Sequence, residues 1–140
     1  MTGPVTLEAR LRVVKIIHAA LMAGVILFLL VAAVLRRRGG ALAAGQLGPV
    51  LSYVGLGVLA GALVLVRILP RPDPAPAPGQ AADQWWTASQ SRLIVLWAVT
   101  EGACLLNAMV WFITQARVSL GAAALALAVL FVLRPGRYLE

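Results

Sequence analysis

The sequence is poor in the residue types that build catalytic and metal sites. Its 140 residues include one cysteine, one histidine and five acidic residues. Cys104 alone cannot form an intramolecular disulfide, a Cys-x-x-Cys redox pair or a multi-cysteine metal site. His18 cannot supply both axial positions of a haem or chlorin, so a hydrogen-bonding role is predicted for it. Because no nucleophile with a neighbouring base and no ligand cluster is found, we predict no enzyme and no catalytic, metal or cofactor-binding residues.

Charge is also scarce. Charged residues make up 12% of the chain and apolar residues 61%, which is too apolar for an ordinary water-soluble domain. The net charge of +7 would suit nucleic acid, but the basic residues lie at the ends of apolar runs instead of on one face. This placement is typical of membrane proteins. We therefore expect a lipid bilayer, and not nucleic acid, as a partner.

Four apolar segments match or approach the length of a membrane span. A helix rises about 1.5 Å per residue, so a hydrocarbon core of about 30 Å needs about 20 apolar residues. The segments are Val13 to Leu35, Pro49 to Leu69, Leu93 to Thr114 and the shorter Val118 to Leu133. The sequence predicts an all-α fold, with residues 1–140 forming one four-helix transmembrane domain built from two helical hairpins.

The second and third spans are joined by a proline-rich segment, residues 70–82, which we predict to be extended and solvated. Trp85 and Trp86 follow it at the level of an aromatic belt and are predicted to be interfacial anchors. The first and third helices are predicted to begin before the membrane, near Thr6 and Asp83. Both would then protrude on the same side.

Flanking basic residues predict the orientation. Four lie on one side, at Arg36, Arg37, Arg38 and Arg117. Eight lie on the side of the two termini and the proline-rich segment, at Arg10, Arg12, Lys15, Arg67, Arg71, Arg92, Arg134 and Arg137. The positive-inside rule places that second side in the cytoplasm of a cell whose inner membrane holds the chain. The cluster from Arg36 to Arg38 argues for the opposite orientation.

The two halves of the chain align loosely when Arg12 is set over Arg92. Because each half contains two spans, a duplication would be parallel, with two hairpins of the same orientation. Convergence on membrane composition explains the alignment nearly as well.

Glu101 is the main candidate for chemistry. It lies nine residues beyond Arg92, about 13 Å along the helix and near mid-membrane. We expect this costly carboxyl group to face the bundle interior, near Thr100, Asn107 and His18. Parallel first and third spans would leave His18 and Glu101 only about 4 to 5 Å apart in depth. Glu101 would then be a proton or cation site, or one end of an interhelical hydrogen bond worth about 1 kcal/mol.

Small residues at a spacing of four predict faces for close helix packing. Such faces form contacts within the chain, with other copies or with partners, because small side chains let helices approach in lipid. The residues are Gly57 and Gly61 in the second span, Ala98 and Gly102 in the third, and Gly121 in the fourth.

The segment RLIVLWAVTEGA, residues 92–103, resembles a stretch in small bacterial membrane proteins with four spans, a group without an established activity. The glycine- and alanine-rich hairpins with an intramembrane glutamate are also similar to a duplicated c subunit of ATP synthase rotor rings. That second resemblance implies an ion-carrying oligomer. The chain departs from it because Glu101 lies in the first helix of its hairpin and the polar hairpin loop is missing.

We therefore predict a non-enzymatic integral membrane protein, a structural or accessory subunit of a homo-oligomer or a larger inner-membrane complex. The alternative is an ion- or proton-translocating oligomer that uses Glu101.

Overall fold

The computed structural model describes residues 7–38, 45, 47–69 and 77–135. In these residues the secondary structure is helical and consists of four α-helices. They are α1 (Leu7–Arg37), α2 (Leu47–Ile68), α3 (Ala82–Thr114) and α4 (Arg117–Val132). The predicted all-α class is confirmed. Helices α1, α2 and α3 are long and apolar enough to cross a membrane, whereas α4 has 16 residues.

Helices α1 and α3 extend well beyond their apolar cores, with 31 and 33 residues. The sequence predicted the start of α3 at a cap formed by Asp83, which is wrong by two positions. Ala81 is the N-cap residue, with extended backbone angles and no side-chain hydrogen bond. The predicted cap of α1 at Thr6, and residues 70–76 of the proline-rich segment, lie outside the described residues.

A two-residue connection reverses the chain between α3 and α4. Gln115 adopts a left-handed conformation with φ 61°, and its backbone N–H donates to the Trp111 carbonyl. This arrangement terminates a helix by satisfying one of its last carbonyl groups. Ala116 then takes an extended conformation and starts α4.

Helix α3 is the centre of the bundle and packs against each of the other three helices. Contacts between His18 and Trp97, and between Arg36 and Trp111, show that α1 and α3 run in the same direction. Helices α3 and α4 are antiparallel and pack extensively. Helices α1 and α2 contact each other very little, because each packs on α3. The predicted pair of equivalent hairpins is therefore not confirmed.

The core has two layers of different composition. Small side chains dominate the layer nearer the α3–α4 connection, where close helix approach is favoured. Its most buried members are Val25, Ala62, Ala103, Cys104, Ala108, Ala123 and Ala126. Large side chains fill the other layer, towards the start of α3. They include Val14, Trp85, Trp86, Leu93, Trp97 and Leu130.

The outer surface carries many large apolar side chains. Leu27, Leu30 and Ile68 are 62%, 58% and 70% exposed, and more than twenty large apolar side chains are exposed in total. A protein folded in water rarely leaves such continuous apolar surface uncovered. This surface and the three long apolar helices are compatible with residence in a membrane.

Candidate functional site

Glu101 lies at the edge of the buried face of α3. Trp97 and Cys104, one turn away on either side, are completely buried, whereas Gly102 is exposed. The Glu101 side chain is only partly buried. The expectation that it faces the bundle interior is therefore wrong: its angular position on the helix brings it to the border between core and outer surface.

The predicted contact between Glu101 and His18 is not formed. The His18 Nε2 atom lies 3.0 Å from the Leu130 carbonyl oxygen. Since a carbonyl oxygen only accepts, Nε2 carries the proton in this hydrogen bond. The imidazole also packs on the Trp97 indole, with ring centroids 4.9 Å apart. Within the described part of the chain, the Glu101 carboxyl group has no hydrogen-bond or ion-pair partner.

His18 and Trp97 instead satisfy the carboxyl end of α4. The last carbonyl groups of a helix have no intrahelical donor. The Trp97 indole Nε1–H donates to the Leu133 carbonyl over 2.7 Å, beside the His18 bond to Leu130. These two donors come from α3 and α1 and are buried. A hydrogen-bonding role was predicted for His18 from the sequence, whereas its neighbour Trp97 was not.

Asn107 joins α3 to α2 in the small-residue layer. Its Nδ2 donates to the Gly55 carbonyl and to the Ala103 carbonyl, both over 2.8 Å. Its Oδ1 is buried without a hydrogen-bond partner. A Cβ added to Gly55 would lie 2.6 Å from this oxygen, so the Cα–H of Gly55 points at it. Such Cα–H···O contacts recur where helices pack closely.

Three further buried polar groups of α3 and α4 bond to backbone or to another side chain. The Thr100 hydroxyl donates to the Leu96 carbonyl of its own helix over 2.7 Å. The Ser119 hydroxyl lies 3.4 Å from that of Ser52 on α2. The Cys104 thiol lies 3.1 Å from the Ala123 carbonyl of α4. The contacts of Ser119 and Cys104 join helices, that of Thr100 lies within α3, and none of the three involves Glu101.

The predicted small-residue steps lie on the outside of the bundle. Gly57, Gly61, Gly102 and Gly121 are exposed, and a Cβ added to any of them would meet nothing within 4 Å. Ala98 is exposed as well. The four glycines therefore make no close contact with another helix in the described part of the chain. Gly55, which the sequence analysis did not single out, does make one.

Trp85 and Trp86 are buried within the protein, at 7% and 2% exposure. They belong to the large-residue layer of the core, and their ring centroids are 6.1 Å apart. Both side chains therefore pack against protein, and their role as interfacial anchors stays a prediction. Their position after the proline-rich segment indicates depth but not the direction in which the rings point.

A groove opens between the ends of α1 and α3. It is lined by Ala33, Arg36 and Arg37 of α1 and by Trp111 of α3, with a volume of about 350 Å³. The Arg36 guanidinium carbon lies 4.5 Å from the centroid of the Trp111 ring. This distance is typical of a cation–π contact.

The described residues contain no group of three or more His, Cys, Asp or Glu side chains that could hold a metal ion. The comparisons with protein families, curated proteins and solved structures found no match to this chain. The resemblances stated from the sequence therefore stay predictions.

Proposed function

We propose that the chain is an integral membrane protein whose four helices cross a bacterial inner membrane, with both termini in the cytoplasm. The exposed apolar surface supports this embedding. So does the spacing of charges on α1, where Lys15 and Arg36 bracket 20 residues without a charge. These 21 steps along a helix span about 31 Å, close to the thickness of the hydrocarbon core.

Within that membrane we propose a non-enzymatic structural or accessory role, in which the chain packs against other copies or other subunits. The observation that carries this proposal is the surface of α3 formed by Ala98, Glu101 and Gly102, named here the α3 outer face. Glu101 is partly buried and has no partner among the described residues, and a carboxyl group near acyl chains is costly. A neighbouring helix that offers it a hydrogen bond removes much of that cost.

The two small residues beside Glu101 favour such a neighbour. Ala98 and Gly102 leave room for a second helix to approach the α3 backbone, which is how helices associate in lipid. Gly57 and Gly61 form a second outward small-residue face, on α2. Two separate faces of this kind suit a chain that contacts neighbours on two sides, as in a homo-oligomer or a larger complex.

Replacing Gly102 with leucine tests the α3 outer face. The bulky side chain should block close approach and release monomer, as measured by native mass spectrometry after extraction in mild detergent. Gly24→Leu is a matched control, because Gly24 is also an exposed helical glycine with open space around it but lies on α1. A wild-type chain that is monomeric without a stoichiometric partner, or equal effects of the two substitutions, would refute the proposal.

A second candidate, translocation of protons or cations by an oligomer, is favoured by the partly exposed carboxyl group of Glu101 at mid-depth. Reconstituted vesicles carrying a proton- or sodium-sensitive dye would detect flux under an applied gradient. Translocation predicts flux that Glu101→Gln abolishes while the native mass stays unchanged. If the wild-type protein assembles but shows no flux, translocation is rejected and the structural role remains.

A further inference from the structure

The groove between the ends of α1 and α3 carries a concentration of positive charge, and the segments at that end of the bundle contain no acidic residue. Arg36 and Arg37 line it, and Arg38 and Arg117 lie at the same end of the bundle. The sequence has no acidic residue between Glu8 and Asp73, and none between Glu101 and Glu140. The last turn of α1, the connection to α2 and the connection from α3 to α4 therefore contain no carboxylate. An anion from outside the chain would stabilise these arginines.

We propose that this groove binds the headgroup of one anionic phospholipid. The inference rests on the proposed embedding in a bilayer and adds a specific lipid site to it. Lipid phosphates lie at the ends of membrane-spanning helices, which is where the groove opens. The guanidinium group presents N–H donors in a planar fork that matches phosphate oxygens.

Trp111 orients one of the two arginines. The Arg36 guanidinium carbon lies 4.5 Å from the centroid of the indole ring, and this cation–π contact restrains the arginine side chain. Because a cation–π contact uses the charge and not the hydrogen-bond donors, the N–H groups of Arg36 remain available to phosphate oxygens. Arg37 is exposed beside it. Ala33, one turn earlier, is small and leaves space for the glycerol part of the lipid.

The proposed lipid site also explains why the cluster from Arg36 to Arg38 lies on the side where the positive-inside rule expects few basic residues. Under the proposed orientation, Arg36 to Arg38 lie on the non-cytoplasmic side, where basic residues are normally depleted. A bound anionic headgroup neutralises part of this cluster and keeps it in the interface. The cluster would then mark a lipid site and not the orientation of the chain.

The test compares two double variants with the same change in charge. Arg36→Gln/Arg37→Gln removes both arginines that line the groove, whereas Arg38→Gln/Arg117→Gln removes two that do not line it. Delipidated protein is titrated with phosphatidylglycerol or phosphatidylcholine and bound lipid is counted by native mass spectrometry. We expect wild-type protein to hold one phosphatidylglycerol in preference to phosphatidylcholine. The groove variant should bind it roughly thirtyfold more weakly, and the control variant should stay within about threefold of wild type.

Equal losses in the two variants would show general attraction to the basic end and overturn the proposal. So would equal retention of the two lipids by the wild type. Excess inorganic phosphate that displaces the lipid completely would show a site for free phosphate instead of a lipid. Resistance to alkaline carbonate extraction is measured first on the same preparation: a chain released by carbonate refutes the proposed embedding, whereas an embedded chain without lipid preference refutes only the groove site.

Discussion

Replacing Gly55 with alanine should destabilise the bundle, although alanine is the better helix former. The added methyl group would lie 2.6 Å from Asn107 Oδ1 and 3.2 Å from its Cγ, where ordinary contacts begin at about 3.4 Å. The amide group must rotate or α2 must move away from α3. Either movement disturbs the two 2.8 Å hydrogen bonds that Asn107 Nδ2 donates to Gly55 and Ala103.

The expected size of the effect follows from three contributions. Loss of a hydrogen bond between helices in a membrane costs about 1 kcal/mol. Overpacking a filled contact costs about 1 to 3 kcal/mol. The higher helix propensity of alanine returns up to about 1 kcal/mol. The free energy of unfolding should therefore fall by about 2 kcal/mol, which is large for the replacement of one hydrogen atom by a methyl group.

Equilibrium unfolding in mixed micelles with increasing dodecyl sulfate measures this change. Gly24→Ala is the matched control, since an added Cβ there meets nothing within 4 Å, and it should leave the stability unchanged or slightly higher. A double variant with Asn107→Ala removes the atom that the methyl group strikes. In that background Gly55→Ala should cost much less, because the two residues are coupled. Equal costs with and without Asn107, or equal effects at Gly55 and Gly24, would refute this account of the contact.

Two further predictions concern other buried contacts. Trp97→Phe keeps most of the ring and removes the donor to the Leu133 carbonyl, so the free energy of unfolding should fall by about 1 to 2 kcal/mol in the same titration; unchanged stability would contradict the capping role. Cys104 is completely buried, so a maleimide should react with it only after unfolding. Labelling of the folded protein as fast as that of the unfolded protein would contradict the burial.

Hydropathy predicts the apolar cores of the helices well, because a span is defined by length and composition. The predicted segments 13–35 and 93–114 lie inside α1 and α3, and the segments 49–69 and 118–133 extend one residue beyond the ends of α2 and α4. The early start of α1 and α3 was also anticipated, since no proline or glycine interrupts either segment before its apolar core. The relative direction of α1 and α3 follows from the number of spans between them.

Whether an individual side chain points to the core or to the outer surface was less predictable. Helix α3 packs against three neighbours, so its buried residues cover a wide arc and no narrow apolar stripe marks the interior. Glu101 lies at the edge of that arc. Its position along the helix predicts its depth in a membrane but not the direction in which its side chain points. The burial of Trp85 and Trp86 against protein was not predictable for the same reason. Predicting the contact between Gly55 and Asn107 requires the register between α2 and α3, which one sequence does not provide.

The short length of α4 explains why a histidine and a tryptophan are buried together at its end. Sixteen residues give about 24 Å, several ångströms less than the hydrocarbon core, so in the proposed membrane the last carbonyls of α4 stop where water cannot reach them. A carbonyl group left there without a donor would destabilise the fold in lipid. His18 and Trp97 supply donors to two of them, at Leu130 and Leu133. Since α1 makes little contact with α2, the bond from His18 also fixes the position of α1 along the bundle, and the depth of α1 is set by the end of α4 as well as by its packing on α3.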